Sequence, residues 1–155
     1  FVVGLLQWIV FTHPPQYAHL DRTRDMRGWS ELRTDVYDLA AAHEALWVGI
    51  IDNYGLVGLL SSYGHFAGST LPVVGIGDAY RYGFLPPPDP AILQAPGLLL
   101  VWEGSANHPL QPIQLFENIE EITTIERRFG SEPVARYTIL RVTNPTLAFF
   151  TAIAR

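Results

Sequence analysis

The fold prediction rests first on residues 45–53, which have the sequence ALWVGIIDN. Residues 45–51 form an unbroken apolar run, and two polar residues end it, which is the pattern of a strand buried on both faces of a parallel sheet. Two further runs, residues 71–77 and 98–102, have the same form, and each is followed by a carboxylate residue. We therefore expect three parallel strands in one sheet.

The segments around these runs predict helices and a hairpin. Residues 54–66 have the length and leucine spacing of a helix that joins the first two strands as a βαβ unit. Residues 28–42 place apolar side chains three and four apart, which predicts an amphipathic helix. Residues 119–127 and 134–142 flank a short Gly- and Pro-containing turn, so we expect an antiparallel hairpin at one edge of the sheet.

These elements predict an α/β fold of the three-layer Rossmann-like or flavodoxin-like kind, with a mainly parallel sheet and a C-terminal antiparallel hairpin. At 155 residues the chain fits one domain, which we place at residues 21–155 and expect to be soluble. Residues 1–20 form a separate apolar segment and connector. Their apolar run at residues 1–11 is too short to span a bilayer, so it is either the stub of a transmembrane helix or a buried strand.

Composition excludes several classes of function. The formal net charge is −5, and the ten basic residues are scattered arginines, whereas nucleic-acid binding requires clustered positive charge. We therefore expect no nucleic-acid partner. The chain has no cysteine, which excludes disulfides and thiolate metal sites, and no lysine, which excludes Schiff-base chemistry.

No motif indicates a catalytic, cofactor or metal site. The five histidines lack the spacing of a helical zinc site, and there is no G-x-S-x-G nucleophile elbow. Residues 75–77 form half of a dinucleotide fingerprint, but Tyr80 occupies the position of its third glycine. We expect no catalytic residue, no cofactor and no metal ion in this chain.

The candidate binding or interface residues follow the three predicted parallel strands. The carboxyl ends of parallel strands meet at one edge of a sheet, where ligands of open α/β sheets bind. Carboxylates, an arginine and aromatic rings at this edge could hold a sugar or a polar head group. The alternative is that they cap helices or form ordinary ion pairs. The candidates are Asp52, Asn53, Tyr54, Asp78, Tyr80, Arg81, Tyr82, Trp102 and Glu103.

Three segments resemble the C-terminal domain of the bacterial protein mannosyltransferase-like family, which are membrane glycosyltransferases. Residues 21–29, DRTRDMRGW, resemble the family's D-P-T-R-x-x-x-G-W entry segment, with Arg22 in place of its proline. Residues 52–63, from DNY to LSSY, are similar to its D-x-Y … L-x-F-Y helix, with serine in place of its phenylalanine. Residues 81–84, RYGF, resemble the arginine-and-aromatic segment that follows the next strand.

The resemblance implies an extracytoplasmic, periplasmic domain of an integral membrane enzyme that uses a polyprenyl-phosphate sugar donor. In that family the catalytic aspartate lies between transmembrane helices, so this domain would not catalyse alone. Its implied partners are the transmembrane region of its own chain, the lipid-linked sugar and the acceptor glycan or protein. Two alternatives stay open: a free-standing Rossmann-like or flavodoxin-like small-ligand binding module, and a hydrolase that uses a carboxylate at the strand ends.

Overall fold

A computed structural model describes residues 28–51, 53–66, 68–69, 71–77, 88–105 and 111–154. Its elements, in chain order, are α1 (Trp29–Ala42), β1 (Val48–Ile51), α2 (Tyr54–Phe66), β2 (Val73–Ile76), α3 (Pro90–Gln94), β3 (Gly97–Trp102), a 3-10 turn (Glu103–Ser105), α4 (Pro112–Leu115), β4 (Phe116–Phe129), β5 (Glu132–Pro145) and α5 (Leu147–Ile153). The segment of residues 1–20 and the start of the predicted domain at residue 21 lie outside the described residues. The domain boundary therefore stays a prediction.

The five strands form one mixed sheet in the order β2-β1-β3-β5-β4. β1 pairs in parallel with β2 and with β3, whereas β5 pairs antiparallel with β3 and with β4. The predicted mainly parallel sheet of Rossmann-like or flavodoxin-like type is therefore wrong. The physical reason is the hairpin: β4 and β5 are joined by a two-residue turn, which permits only antiparallel neighbours, and β5 then pairs along the whole of β3.

The hairpin is also much longer than expected. β4 and β5 each have 14 residues, whereas β1, β2 and β3 have 4, 4 and 6. Trp102, the last residue of β3, pairs with Tyr137, so residues 126–136 run on beyond the carboxyl end of β3. We call this projecting part the hairpin arm. It brings side chains from the last third of the chain to the strand ends where the sequence predicts a site.

The three apolar runs and two helices lie where their patterns predict them. β1, β2 and β3 occupy the runs, and α1 and α2 occupy residues 29–42 and 54–66. In α1 the buried residues recur three or four apart, which explains why this segment is helical and which side of it faces the sheet. Those residues are Trp29, Leu32, Val36 and Ala40.

Helices cover both faces of the sheet, and each face has its own apolar core. Leu98 and Leu100 of β3 pack with α1 and α2 on one face, while Leu99 between them packs with α3, α4 and α5 on the other. This alternation follows from the two-residue period of a strand. Within the described part of the chain, none of the helices has the length and apolar character that crossing a membrane requires.

The second face contains a tight group of rings that we call the closed cluster: Trp47, Phe116 and Phe149. The Trp47 ring lies 5.4 Å from Phe149 and 6.0 Å from Phe116, and the two phenylalanine rings are 4.9 Å apart, measured between centroids. The indole N–H of Trp47 donates to the Ala95 carbonyl at 3.0 Å. All three residues are almost completely buried, so this cluster packs the residue before β1 against the start of β4 and against α5.

Candidate functional site

The carboxyl ends of β1 and β3 lie side by side, and the chain leaves them in opposite directions. From β1 it passes through α2 to β2 at one edge of the sheet, and from β3 it continues to the hairpin on the other side. Such a divergence opens a crevice between two strand ends, which is where ligands of open α/β sheets bind. Four predicted site residues lie here, Asn53 and Tyr54 after β1 and Trp102 and Glu103 at β3.

The remaining predicted site residues cannot be placed. They are Asp52, Asp78, Tyr80, Arg81 and Tyr82, and all of them lie outside the described residues. Their assignment to a binding surface therefore stays a prediction. The residues named in the site below all lie in the described part of the chain.

A cavity of about 310 Å³ occupies the crevice, and we call it the rim cavity. Its walls come from four elements: Trp29 of α1, the first turns of α2 with the preceding Asn53, Trp102 of β3, and the hairpin arm with Tyr137. This volume is at the small end of the range for ligand sites, which is about 300 to 1,000 Å³. The rim cavity thus matches a ligand of about one ring in size.

Asn53 enters the rim cavity while capping α2. Its side-chain oxygen accepts the Leu56 N–H at 3.0 Å, and its carbonyl accepts the Val57 N–H at 3.1 Å. This is the ordinary role of asparagine before a helix, and it holds the side chain in one orientation at the cavity wall. Asn53 thus adds to the lining of the rim cavity an amide group, which can donate and accept hydrogen bonds.

Trp102 forms an aromatic wall of the rim cavity. Its side chain is 43% exposed, in contrast to the residues before it in β3, which are mostly buried. The indole lies against Gly104, where a Cβ atom would collide with its six-membered ring. Because glycine has no side chain, the indole can lie directly against Gly104. Gly104 belongs to the 3-10 turn after β3, and this turn holds the indole at the rim cavity.

Trp29 and Arg127 form the opposite wall. The guanidinium carbon of Arg127 lies 4.0 Å from the centroid of the Trp29 ring, which is a cation–π contact, and Arg127 is only 5% exposed. Burial raises the pKa of the neighbouring Tyr137 phenol, and the Arg127 guanidinium opposes that rise. These contacts join α1, β4 and β5 into one rigid wall.

Gly28 positions this wall. It has a φ angle of +73°, in the left-handed region that favours glycine, and a Cβ atom there would collide with the carbonyl oxygen of Arg128. The start of α1 can therefore approach the backbone of the hairpin arm closely. That approach places Trp29 over Arg127.

Tyr54 and Glu103 do not line the rim cavity. Tyr54 is the first residue of α2 and is 53% exposed. Glu103 lies 3.7 Å from Arg136, which in turn contacts Glu126 at 2.8 Å. Glu103, the first residue of the 3-10 turn after β3, therefore belongs to an ion-pair network with the hairpin arm and not to the rim cavity.

That network shifts two pKa values. The hydrogen bond from Arg136 is the main reason that the pKa of Glu126 lies below its ordinary value, and the charge of Arg128, 2.6 Å away, lowers it further. The same contact with Glu126 raises the pKa of Arg136. Two arginines and two glutamates balance each other, which is a structural arrangement of exposed charges.

The rim cavity is also lined by residues that the sequence did not predict, and three of them carry its other aromatic and charged groups: Trp29, Arg127 and Tyr137. The predicted residues all follow parallel strands, whereas these three come from a helix start and from the hairpin. Trp29 had one signal, since the G-W pair of the resemblance includes it. Arg127 and Tyr137 had none, because no local pattern shows that the hairpin passes the end of β3.

The described ranges contain no group of three or more His, Cys, Asp or Glu side chains placed to hold a metal ion. In comparisons with known proteins, no family model matches the chain, and neither the curated proteins nor the solved structures give a significant match. We therefore base the proposed function on the rim cavity.

Proposed function

We propose that the chain is the extracytoplasmic, periplasmic domain of a membrane glycosyltransferase that uses a polyprenyl-phosphate sugar donor. Its role is to recognise a substrate or cover the active site, and the transfer itself takes place in the membrane region. The observation that supports this proposal is the rim cavity, in which aromatic walls and the Asn53 side chain surround a space of about 310 Å³ at the strand ends.

The lining of the rim cavity suits recognition of a ligand that is apolar on one side and polar on the other. Tryptophan and tyrosine provide apolar contact area, and Asn53 adds a fixed hydrogen-bonding group. A sugar has both properties.

The second candidate is a free-standing small-ligand binding module. The same cavity favours it, since a ring-sized pocket needs no membrane partner to bind a ligand. The two candidates differ in what the complete reading frame encodes: the glycosyltransferase requires membrane helices upstream of Phe1, and the module does not.

The test is sugar transfer in membranes that contain the product of the complete reading frame. Labelled polyprenyl-phosphate sugar is supplied, and transfer to the acceptor fraction is measured for the wild type and for Trp102→Ala. We expect the substitution to lower transfer about tenfold, the loss that corresponds to about 1.4 kcal/mol of substrate interaction. The 155-residue chain by itself should transfer no sugar above a buffer blank.

Phe66→Ala is the matched control, because Phe66 is a surface aromatic residue, 86% exposed, at the far end of α2. Thermal unfolding of each variant of the 155-residue chain separates loss of recognition from loss of folding. The proposal is wrong if Trp102→Ala lowers transfer no more than Phe66→Ala does. It is also wrong if the 155-residue chain transfers sugar unaided.

A further inference from the structure

We propose that a second cavity, between α1 and the end of α2, binds a small zwitterion that carries a carboxylate and an ammonium group, such as a free α-amino acid. This cavity, which we call the helix cavity, has a volume of about 230 Å³. It shares no lining residue with the rim cavity, so its ligand is independent of the proposed function. The helix cavity is lined by Arg33, Thr34, Tyr37, Asp38, Gly64 and Ser69.

The helix cavity lies where Gly64 lets α2 approach α1. Gly64 is buried, and a Cβ atom there would collide with the hydroxyl oxygen of Tyr37. That hydroxyl donates to the Leu60 carbonyl at 3.4 Å. Burial raises the pKa of the Tyr37 phenol, while a hydrogen bond with Ser69 and the charge of Arg33 oppose the rise. The Tyr37 hydroxyl therefore lies between the two helices, close to both Ser69 and the Arg33 guanidinium.

Arg33 provides a half-buried cation at the helix cavity, and no carboxylate of the described residues lies within ion-pair distance of it. Its Nη2 donates to the neutral hydroxyl of Thr34 at 3.2 Å, and its Nε is buried without a hydrogen-bond partner in the described part of the chain. A charge that is partly removed from water favours an ionic partner. A carboxylate suits a guanidinium best, because two parallel N–H···O bonds can form. Arg33 therefore favours a ligand with a carboxylate group.

Asp38 provides an anion at the same cavity, on an exposed part of α1. It follows Arg33 by five positions, whereas neighbours on a helix surface are three or four apart, so the two side chains do not neutralise each other. The described ranges place no other cation within ion-pair distance of its carboxylate. The charge of Asp38 repels a second anionic group and attracts an ammonium group. The two charges together favour a zwitterion over phosphate or another plain oxyanion.

The volume and the lining of the helix cavity limit the ligand to a small amino acid. A water molecule takes about 30 Å³ in the liquid, so about 230 Å³ corresponds to a ligand of no more than about eight non-hydrogen atoms. Apart from Gly64, every lining residue has a polar side chain, which gives a large apolar ligand no matching surface. Glycine, alanine and serine fit both limits. Ligands of this size bind weakly, and we expect dissociation constants of about 1 to 10 mM.

The experiment is a ¹H–¹⁵N NMR titration of the 155-residue chain, with the backbone amides of Gly64 and Ser69 as reporters of the helix cavity. L-Serine is the zwitterionic probe. Acetate carries only the carboxylate, methylammonium carries only the ammonium group, and inorganic phosphate is a plain oxyanion. The amide of Trp47, a residue buried on the opposite face of the sheet, is the internal reference.

We expect L-serine to shift the Gly64 and Ser69 signals in a saturable manner and to leave the Trp47 signal unchanged. Acetate, methylammonium and phosphate should each bind at least about tenfold more weakly, because each satisfies only one of the two charges. Arg33→Gln and Asp38→Asn should each weaken L-serine binding about tenfold. Asp38→Asn should not weaken acetate binding, since it removes the negative charge that repels acetate.

Asp35→Asn is the matched control, because Asp35 is an exposed carboxylate of α1 that does not line the helix cavity, and it should leave L-serine binding unchanged. If Arg33→Gln lowers the thermal midpoint of the chain, the opposite responses of L-serine and acetate to Asp38→Asn still decide. The proposal is overturned if L-serine causes no saturable shift, or if acetate or phosphate binds the wild type as tightly as L-serine. It is also overturned if Asp35→Asn weakens binding as much as Asp38→Asn. None of these outcomes depends on sugar transfer in membranes.

Discussion

Two groups of aromatic side chains lie on opposite faces of the same sheet, and they differ in what covers them. In the closed cluster, Trp47 is 1% exposed and its indole N–H is bonded to the Ala95 carbonyl. In the rim cavity, Trp102 is 43% exposed and lines a space of about 310 Å³. Helices α3, α4 and α5 cover the face with the closed cluster, whereas the rim cavity lies beside α1 and α2 on the opposite face.

Tryptophan therefore has two roles within this one small fold. A fully covered tryptophan contributes its whole apolar area to stability, since no ligand can reach it. A half-covered tryptophan contributes less to folding and leaves its remaining surface for a ligand. Exposure and position at the strand ends, rather than residue type, thus separate the binding role from the structural one.

The largest expected effect comes from removing one ring from each group. Trp47→Ala should lower the free energy of unfolding by about 3 to 5 kcal/mol, because it leaves a cavity beside Phe116 and Phe149. It also removes the donor of the hydrogen bond to the Ala95 carbonyl. Trp102→Ala should lower the free energy of unfolding by no more than about 1 kcal/mol. Urea unfolding of both variants measures this contrast, and equal losses would show that the rim cavity is part of the core.

A smaller effect is expected where α1 meets the hairpin arm. Gly28→Ala should lower the free energy of unfolding by about 2 to 3 kcal/mol, because it adds a collision with the Arg128 carbonyl to the strain of a positive φ angle. Gly130→Ala is the control: its φ angle is also positive, at +60°, but a Cβ atom there meets nothing within 4 Å. It should cost about 1 kcal/mol.

Urea unfolding gives the loss in free energy of unfolding for each of the two glycine variants. The difference between the two losses measures the collision of a Cβ atom at residue 28 with the Arg128 carbonyl, which lies at one wall of the rim cavity. In the chain labelled with 5-fluorotryptophan, the ¹⁹F NMR signal of Trp29 should shift in Gly28→Ala and stay in place in Gly130→Ala. If the two variants lose the same free energy of unfolding, α1 does not dock closely on the hairpin arm, and the wall formed by Trp29 and Arg127 is not rigid.

The smallest effect concerns the exposed ion pairs behind Trp102. The pKa of Glu126 in the folded chain lies below its ordinary value of 4.5, mainly because Arg136 donates a hydrogen bond to it. Its stabilising contribution is therefore complete above about pH 4.5 and is lost as the pH falls through the folded pKa. Thermal midpoints of the wild type and Glu126→Gln should differ at pH 6 and converge toward pH 3.

Glu117→Gln, which changes an exposed carboxylate near the other end of β4, is the control for Glu126→Gln. The effect of Glu126→Gln is taken relative to this variant, which removes a carboxylate from the same strand but outside the Glu126–Arg128–Arg136 contacts. A Glu126→Gln difference that stays constant down to pH 3 would mean that the contacts of Glu126 with Arg128 and Arg136 do not stabilise the fold.

Part of the candidate site could be predicted from the sequence because it depends on a simple topological rule. Parallel neighbours bring their following residues to one edge, and the three apolar runs indicated such neighbours, so Asn53 and Trp102 were found. The rule could not tell that Trp102 lines the rim cavity while Glu103 pairs with Arg136 of the hairpin arm. That depends on the register of β3 against β5, in which Trp102 is opposite Tyr137.

The amino-acid sequence by itself determined the positions of β1, β2, β3, α1 and α2, because burial of a local segment leaves a periodic apolar pattern. Only the tertiary structure decided that the sheet is mixed and that Trp29, Arg127 and Tyr137 meet at the rim cavity. The hairpin pairs with β3 through backbone hydrogen bonds between distant segments, and such bonds leave little trace in side-chain patterns. The local pattern therefore predicts the elements, and long-range pairing decides the site.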